Sequence, residues 1–186
     1  MKRLDPKASV VLVIDVQDKL ASAMPEARMK DLVRASTVLL EASEILGARV
    51  IVTEQYPAGL GNTIAPIADK LVQAGAVTVA KNHFSACDEL AFQRAFAALG
   101  AVRSVVVVGM ETHVCVFQTV RELRSRGIEV FVAADGVASR RDDHREVGLE
   151  LCRSAGAIIT TMETVVFDWL AVAGTDSFKR LSKLIR

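Results

Sequence analysis

Three ionisable residues close or follow apolar runs in this chain. Asp15 stands directly after VVLVI, Lys81 directly after VTVA, and Cys115 six residues beyond a run that stops at Gly109. A thiol, a carboxylate and an ammonium are the groups that nucleophilic hydrolysis uses, with a nucleophile, a base within hydrogen-bond reach and donors aimed at the developing oxyanion. In VVVVGMETHVCVFQTV, Val105 to Val120, the cysteine enters a helix. The N-terminus of a helix carries about +0.5 elementary charge, which favours a thiolate over a thiol. The competing reading of any free cysteine is a small buried hydrophobe. Placement assigns proton acceptance to Asp15, ionisation of that carboxylate to Lys81 and oxyanion binding to turn amides around Glu111 and Cys115. On this reading an Asp15→Asn change raises the Cys115 pKa.

Such groups need a frame, and the sequence contains one. Five times a helical segment ends in glycine and a short β-rich run follows, at Gly47, Gly75, Gly100, Gly127 and Gly156, spaced by 28, 25, 27 and 29 residues. That spacing is one β-α unit with short loops, and glycine tolerates the left-handed position that ends a helix. The runs lack polar alternation, as strands covered on both faces do. With Val10 to Asp15 leading, the pattern predicts six strands in an open, doubly wound, mostly or wholly parallel sheet, a three-layer α/β/α arrangement. Phe92, Ala95, Phe96 and Leu99 form one apolar stripe of a flanking helix. In such sheets ligands sit beyond the carboxyl ends of the strands, where Asp15, Lys81 and Cys115 fall.

The 186 residues suit one domain, with a core from about residue 8 to 172 and a short basic C-terminal helix from about 175 to 186. An eight-stranded barrel needs about 250 residues. A net charge of +1, from 23 Lys plus Arg against 22 Asp plus Glu, provides no field to gather nucleic acid or a membrane surface. Three scattered cysteines, Cys87, Cys115 and Cys152, fit neither a disulfide framework nor a metal site and point to a reducing, cytoplasmic compartment. MKRLDPKAS has no apolar h-region, and no apolar run approaches 18 residues, so neither a signal peptide nor a membrane span is expected.

The segments IDVQDKL, VTEQYPAGLGNT, KNHFSA, GMETHVCVFQT, ADGVASRRDDH and AGAIITTMET together resemble the isochorismatase-like cysteine hydrolases, most closely the branch of isochorismatase domain-containing proteins. The likeness runs from about Val10 to Lys183. It implies an Asp15-Lys81-Cys115 triad and a non-proline cis peptide between Met110 and Glu111 that turns the amides of Glu111 and Cys115 into an oxyanion hole. It further implies hydrolysis of C–N bonds of small amides or N-carbamoyl compounds through a thioester, and a dimer or larger homo-oligomer. Nicotinamidase-type relatives carry an Asp-x-His metal motif after the second strand; here that place reads TEQYPAGLGNT, so no metal or other cofactor is expected. Relatives that split the vinyl ether of isochorismate without a covalent nucleophile lack the cysteine. That activity, and a binding protein with a vestigial triad, remain the alternatives.

Gln17, Tyr56, Phe84, Thr112, His113 and the Gly59 to Gly61 turn are expected to shape a pocket for a small-molecule substrate. The C-x5-R spacing of Cys115 and Arg121 matches cysteine phosphatases, but VFQTV lacks the glycine-rich amides of a phosphate cradle. His83, His113 and His144 show no metal-ligand spacing. Arg140, Arg141, Asp142 and Asp143 read as a solvated turn with a helix N-cap, and Cys87 and Cys152 as structural.

Overall fold

The computed structural model describes residues 3–185, so the parts of these expectations that fall on Met1, Lys2 and Arg186 lie outside the described residues. The six expected runs form β1 (Ser9–Ile14), β2 (Arg49–Gln55), β3 (Val77–Lys81), β4 (Ser104–Met110), β5 (Glu129–Ala138) and β6 (Ile158–Thr160). They make one sheet in the order β3-β2-β1-β4-β5-β6, every pairing parallel. The five junction glycines take left-handed φ values between 62° and 89°.

Alternate residues of each strand serve two cores. Val11 and Val13 of β1 face one side, with Val106 and Val108 of β4. That side is covered by α2 (Glu26–Leu46), α4 (Ala65–Gln73), α8 (Met162–Leu170) and α9 (Asp176–Ile185). Val10, Leu12 and Ile14 face the other side, covered by α5 (Leu90–Ala98), α6 (Phe117–Ser125) and α7 (Asp142–Ser154). The stripe of Phe92, Ala95, Phe96 and Leu99 packs into this second core. This is the three-layer α/β/α fold that the glycine period predicts. Two short helices, α1 (Asp18–Ala21) and α3 (Pro57–Leu60), sit in the loops above the carboxyl edge of the sheet. No helix among the described residues is long and apolar enough to cross a membrane.

The expectation of strands covered on both faces holds in the middle of the sheet and fails at its edge. β1 and β4 are buried throughout, whereas Val77, Thr78 and Ala80 of β3 are exposed. An edge strand has a neighbour on one side only, and its apolar run carries no sign of that position.

Thr161 begins α8 by accepting a hydrogen bond from the Thr164 backbone N–H at 3.2 Å. Thr161→Ala is expected to lower stability by about 1 kcal/mol, read as a lower urea midpoint with an unchanged slope.

Candidate active site

Strand order reverses between β1 and β4, which opens a crevice at their carboxyl ends. Asp15 stands there with a left-handed φ of 53°, a conformation asparagine and aspartate reach more readily than other side chains. Its backbone N–H still bonds the Thr53 carbonyl of β2 at 3.0 Å, so the turn begins within the ladder. The carboxylate points into the protein rather than capping α1: Oδ1 accepts from the Thr53 hydroxyl at 2.7 Å and Oδ2 from Lys81 Nζ at 2.8 Å.

Lys81 ends β3, two strands away, and its long side chain spans the end of β2 to reach Asp15. Both side chains are fully buried. The ammonium also donates to Gln55 Oε1 at 2.5 Å and to the carbonyls of His83 and Phe84 at 3.2 Å each. An ammonium that snorkelled to solvent would need none of these acceptors; one removed from water needs a partner for each of its three N–H groups, and the four acceptors present suffice.

Gln17 lies behind this group. Its Nε2 donates to the carbonyls of Gln55 and Gly61 at 3.0 and 2.7 Å, and its Oε1 accepts from the Gln55 backbone N–H at 2.7 Å. One amide side chain thus continues the hydrogen bonding between β1 and β2 after β1 has turned away.

After β4 the Met110–Glu111 peptide is cis, and Thr112–Val116 form a π-helical turn leading into α6. The Val116 N–H bonds the Glu111 carbonyl five residues back at 3.2 Å. Gly148 of α7 rests on this turn so closely that a Cβ there would come within 2.7 Å of His113 N and Thr112 C. Cys115 sits in the turn, 6% exposed, at the wall of a cavity of about 360 Å³. Leu20, Leu60, Phe84 and Val114 provide the apolar part of the lining; Gln55, Glu111 and Arg140 provide the polar part.

Electrostatics here run against the expectation of an acidified thiol. Burial pushes Cys115 up to about 12, and the Asp15 charge adds to the rise, outweighing Lys81 and the Glu111 backbone N–H, which favour the thiolate. Asp15 is itself raised, by burial first, against the lowering pull of Lys81, Thr53 and the Cys115 thiol. The pair is therefore a protonated thiol beside a carboxyl more basic than usual. The expected sign of Asp15→Asn reverses as well: removing the carboxylate removes a charge that opposes the thiolate.

Burial also raises Cys87 to about 11 and Cys152 to about 12, and both are completely enclosed in the second core. The three thiols thus differ in access more than in acidity. Iodoacetamide is expected to label Cys115 on the order of tenfold or more faster than the other two, as peptide mapping by mass would show; equal rates would place Cys115 among the sealed cysteines.

Of the expected pocket residues, Phe84 is in the cavity lining. Thr112 is buried, with its hydroxyl on the Ala138 carbonyl at 3.0 Å, and His113 Nδ1 lies 3.0 Å from Ser139 Oγ with its ring 4.8 Å from that of His144. Tyr56 is 57% exposed, outside the lining, with its ring lying over Gly59. Among the described residues no group of three or more His, Cys, Asp or Glu is placed to hold a metal ion.

Arg140 adds to the solvated-turn reading: its side chain is 62% exposed, yet it also reaches a buried carboxylate. Its Nε sits 2.5 Å from Glu111 Oε1, and it lines the cavity with Cys115. Arg141 and Asp143 pair with each other at the surface, and Asp142 with Arg28, as a solvated turn would. Leu60, in the expected Gly59 to Gly61 turn, does line the cavity, whereas Leu20 and Val114 were not anticipated. Each looks like an ordinary apolar residue in sequence, and only the meeting of three loops gives them a common cavity.

Comparison with known proteins bears on the family and the fold. The model of the isochorismatase domain family matches residues 9–164. The zebrafish Danio rerio isochorismatase domain-containing protein 1 is 37% identical over 185 residues, covering 98% of this chain and 62% of its own length. A Phytophthora sojae protein described as a secreted isochorismatase effector is 34% identical, with 99% and 87% covered. A solved Caenorhabditis elegans structure, described as the MAR1 ribonuclease, superposes with a TM-score of 0.89 at 34% identity, with 99% and 92% covered. With the family model spanning most of its length, the chain belongs to the isochorismatase domain family of hydrolases.

Proposed function

We propose that this protein is a cysteine-dependent hydrolase that cleaves a C–N bond of a small amide or carbamoyl compound through a thioester. The observation that carries the reading is the fully buried Lys81–Asp15 pair, 2.8 Å apart, acting on the one thiol that meets a cavity. Sγ of Cys115 attacks the carbonyl carbon as its proton passes to Asp15. The backbone amides of Glu111 and Cys115 receive the oxyanion. Collapse breaks the C–N bond, and ammonia or an amine leaves with the proton from Asp15. Water then loses a proton to Asp15 as it adds to the thioester; the C–S bond breaks, and the proton returns to sulfur as the acid departs.

A carboxyl raised by burial suits both halves of this cycle, because a group that must take and return a proton works best with a pKa near the working pH. Lys81 keeps Asp15 in place and supplies the positive charge without which a buried carboxylate would be neutral. Leu20, Leu60, Phe84 and Val114 favour an acyl group with a compact apolar body.

A panel of primary amides, N-carbamoyl compounds, isochorismate and RNA, each with Cys115→Ala as the blank, tests the reading. Cysteine-dependent release of ammonia or amine supports it. Turnover of isochorismate that survives in the variant would assign vinyl-ether hydrolysis instead, RNA cleavage would assign the activity named for the worm protein, and no turnover at all would leave a binding protein.

A cytoplasmic address and a homo-oligomeric state belong to the same proposal. The free cysteines suit a reducing compartment, although the Phytophthora relative is described as secreted. The open edge at β3, with Val77 and neighbouring Val72 exposed, suits association of copies.

A further inference from the structure

Glu111 presents two groups of opposite effect to the same place. Its backbone N–H acts on the Cys115 sulfur in the sense that favours the thiolate. Its carboxylate, 7% exposed, lies in the wall of the same cavity. An unpaired carboxylate there would repel a thiolate and an oxyanion through a medium that screens weakly. The charged and titratable groups around it are Arg140 from the β5–α7 junction, His113 on its own turn, His144 on α7, and the Cys115, Asp15 and Lys81 group across the cavity.

His113 Nδ1 is 3.6 Å from Glu111 Oε2, but burial holds this imidazole toward its neutral form. The Asp15–Lys81 pair is already neutral as a unit. Arg140 alone brings a standing positive charge, since a guanidinium stays protonated. On a side chain 62% exposed, its Nε meets Oε1 at 2.5 Å, and its backbone N–H meets Oε2 at 3.5 Å, so the pair joins a solvated cation to a buried anion.

We propose that Arg140 is a positioning residue that neutralises the buried Glu111 carboxylate, so that the amide of Glu111 can serve the sulfur and the oxyanion while its side chain does not oppose them. The idea rests on the cysteine-hydrolase reading for its catalytic consequence, but its electrostatic core concerns only the thiol. A pair that merely pinned the β5–α7 junction would need the contact and not the charge balance.

The rate of Cys115 alkylation by iodoacetamide across pH, with Cys87 and Cys152 as internal references, separates these cases without any substrate. Arg140→Ala is expected to slow alkylation about tenfold at fixed pH, the equivalent of one pKa unit, and to lower kcat by a similar factor or more with KM nearly unchanged. Arg140→Lys should stay within about threefold of the wild type, because it keeps the charge. The double variant Arg140→Ala/Glu111→Gln should recover to within about threefold, because it removes both charges.

A double variant as slow as Arg140→Ala, or an Arg140→Ala protein that alkylates at the wild-type rate, would overturn the proposal. Glu111→Gln alone keeps the shape of the pair and should speed alkylation; a slower thiol overturns the proposal even if Arg140→Ala fails to fold. Turnover that survives Cys115→Ala would instead remove the cysteine-dependent reading and leave these alkylation results standing, so the two failures are distinguishable.

Discussion

Cys115→Ala is expected to reduce turnover of an amide substrate by about four to six orders of magnitude. No other nucleophile shares the cavity wall: Gln55 and Arg140 are poor ones, and Glu111 is tied to Arg140. Once sulfur is gone, Asp15 has no partner to deprotonate toward the carbonyl, and what remains is binding and oxyanion stabilisation. The fold should survive, since alanine loses a single sulfur atom at the edge of the second core, and thermal unfolding within a few degrees of the wild type would show it. In the intact enzyme a slow amide or an aldehyde analogue should add its mass to Cys115 and to no other cysteine. Activity retained in the variant, with no mass on Cys115 in the parent, would end the covalent mechanism.

Asp15→Asn should separate reactivity from catalysis. Turnover falls by about two to four orders of magnitude, the usual scale of a lost general base, while alkylation of Cys115 becomes faster because the opposing charge is removed. The same change leaves the Lys81 ammonium buried with Gln55 and two carbonyls but no counter-ion, and a loss of about 3 kcal/mol in a denaturant titration follows. The opposite pattern, a slower thiol in a protein of unchanged stability, would show that Asp15 does not face Cys115 as described.

The period of the junction glycines made the sheet legible, because each helix end and following strand is a local event written in adjacent residues. That Asp15, Lys81 and Cys115 gather at one edge follows for a related reason: each comes after the carboxyl end of an apolar strand, and in a parallel sheet those ends share one edge. The pocket was legible only in part. Phe84 and the Gly59 to Gly61 turn, through Leu60, were placed correctly, but Tyr56 lies outside the lining and Leu20 and Val114 enter it from segments far apart in the chain. The sign of the thiol shift was missed because a helix start is visible in sequence, whereas the depth of burial that overrides it depends on α6, α7 and the sheet together. Arg140 was hidden by its neighbours. Four consecutive charges look like one solvated turn, and all four are exposed, yet the first also pairs with the buried Glu111 carboxylate.

The seating of Gly148 against the turn of Cys115 makes the two sides of the cavity mechanically unequal. Backbone touches backbone there, with no side chain between to rearrange, so the nucleophile's wall can move only by carrying α7 with it. The opposite wall comes from two four-residue helices, α1 and α3, and the segment after β3, tied down by Gln17 on the Gly61 carbonyl and Lys81 on the Phe84 carbonyl. Leu20, Leu60 and Phe84 meet the cavity through side chains alone, so variation at those three positions can reshape it while leaving the backbone seat of Cys115 untouched.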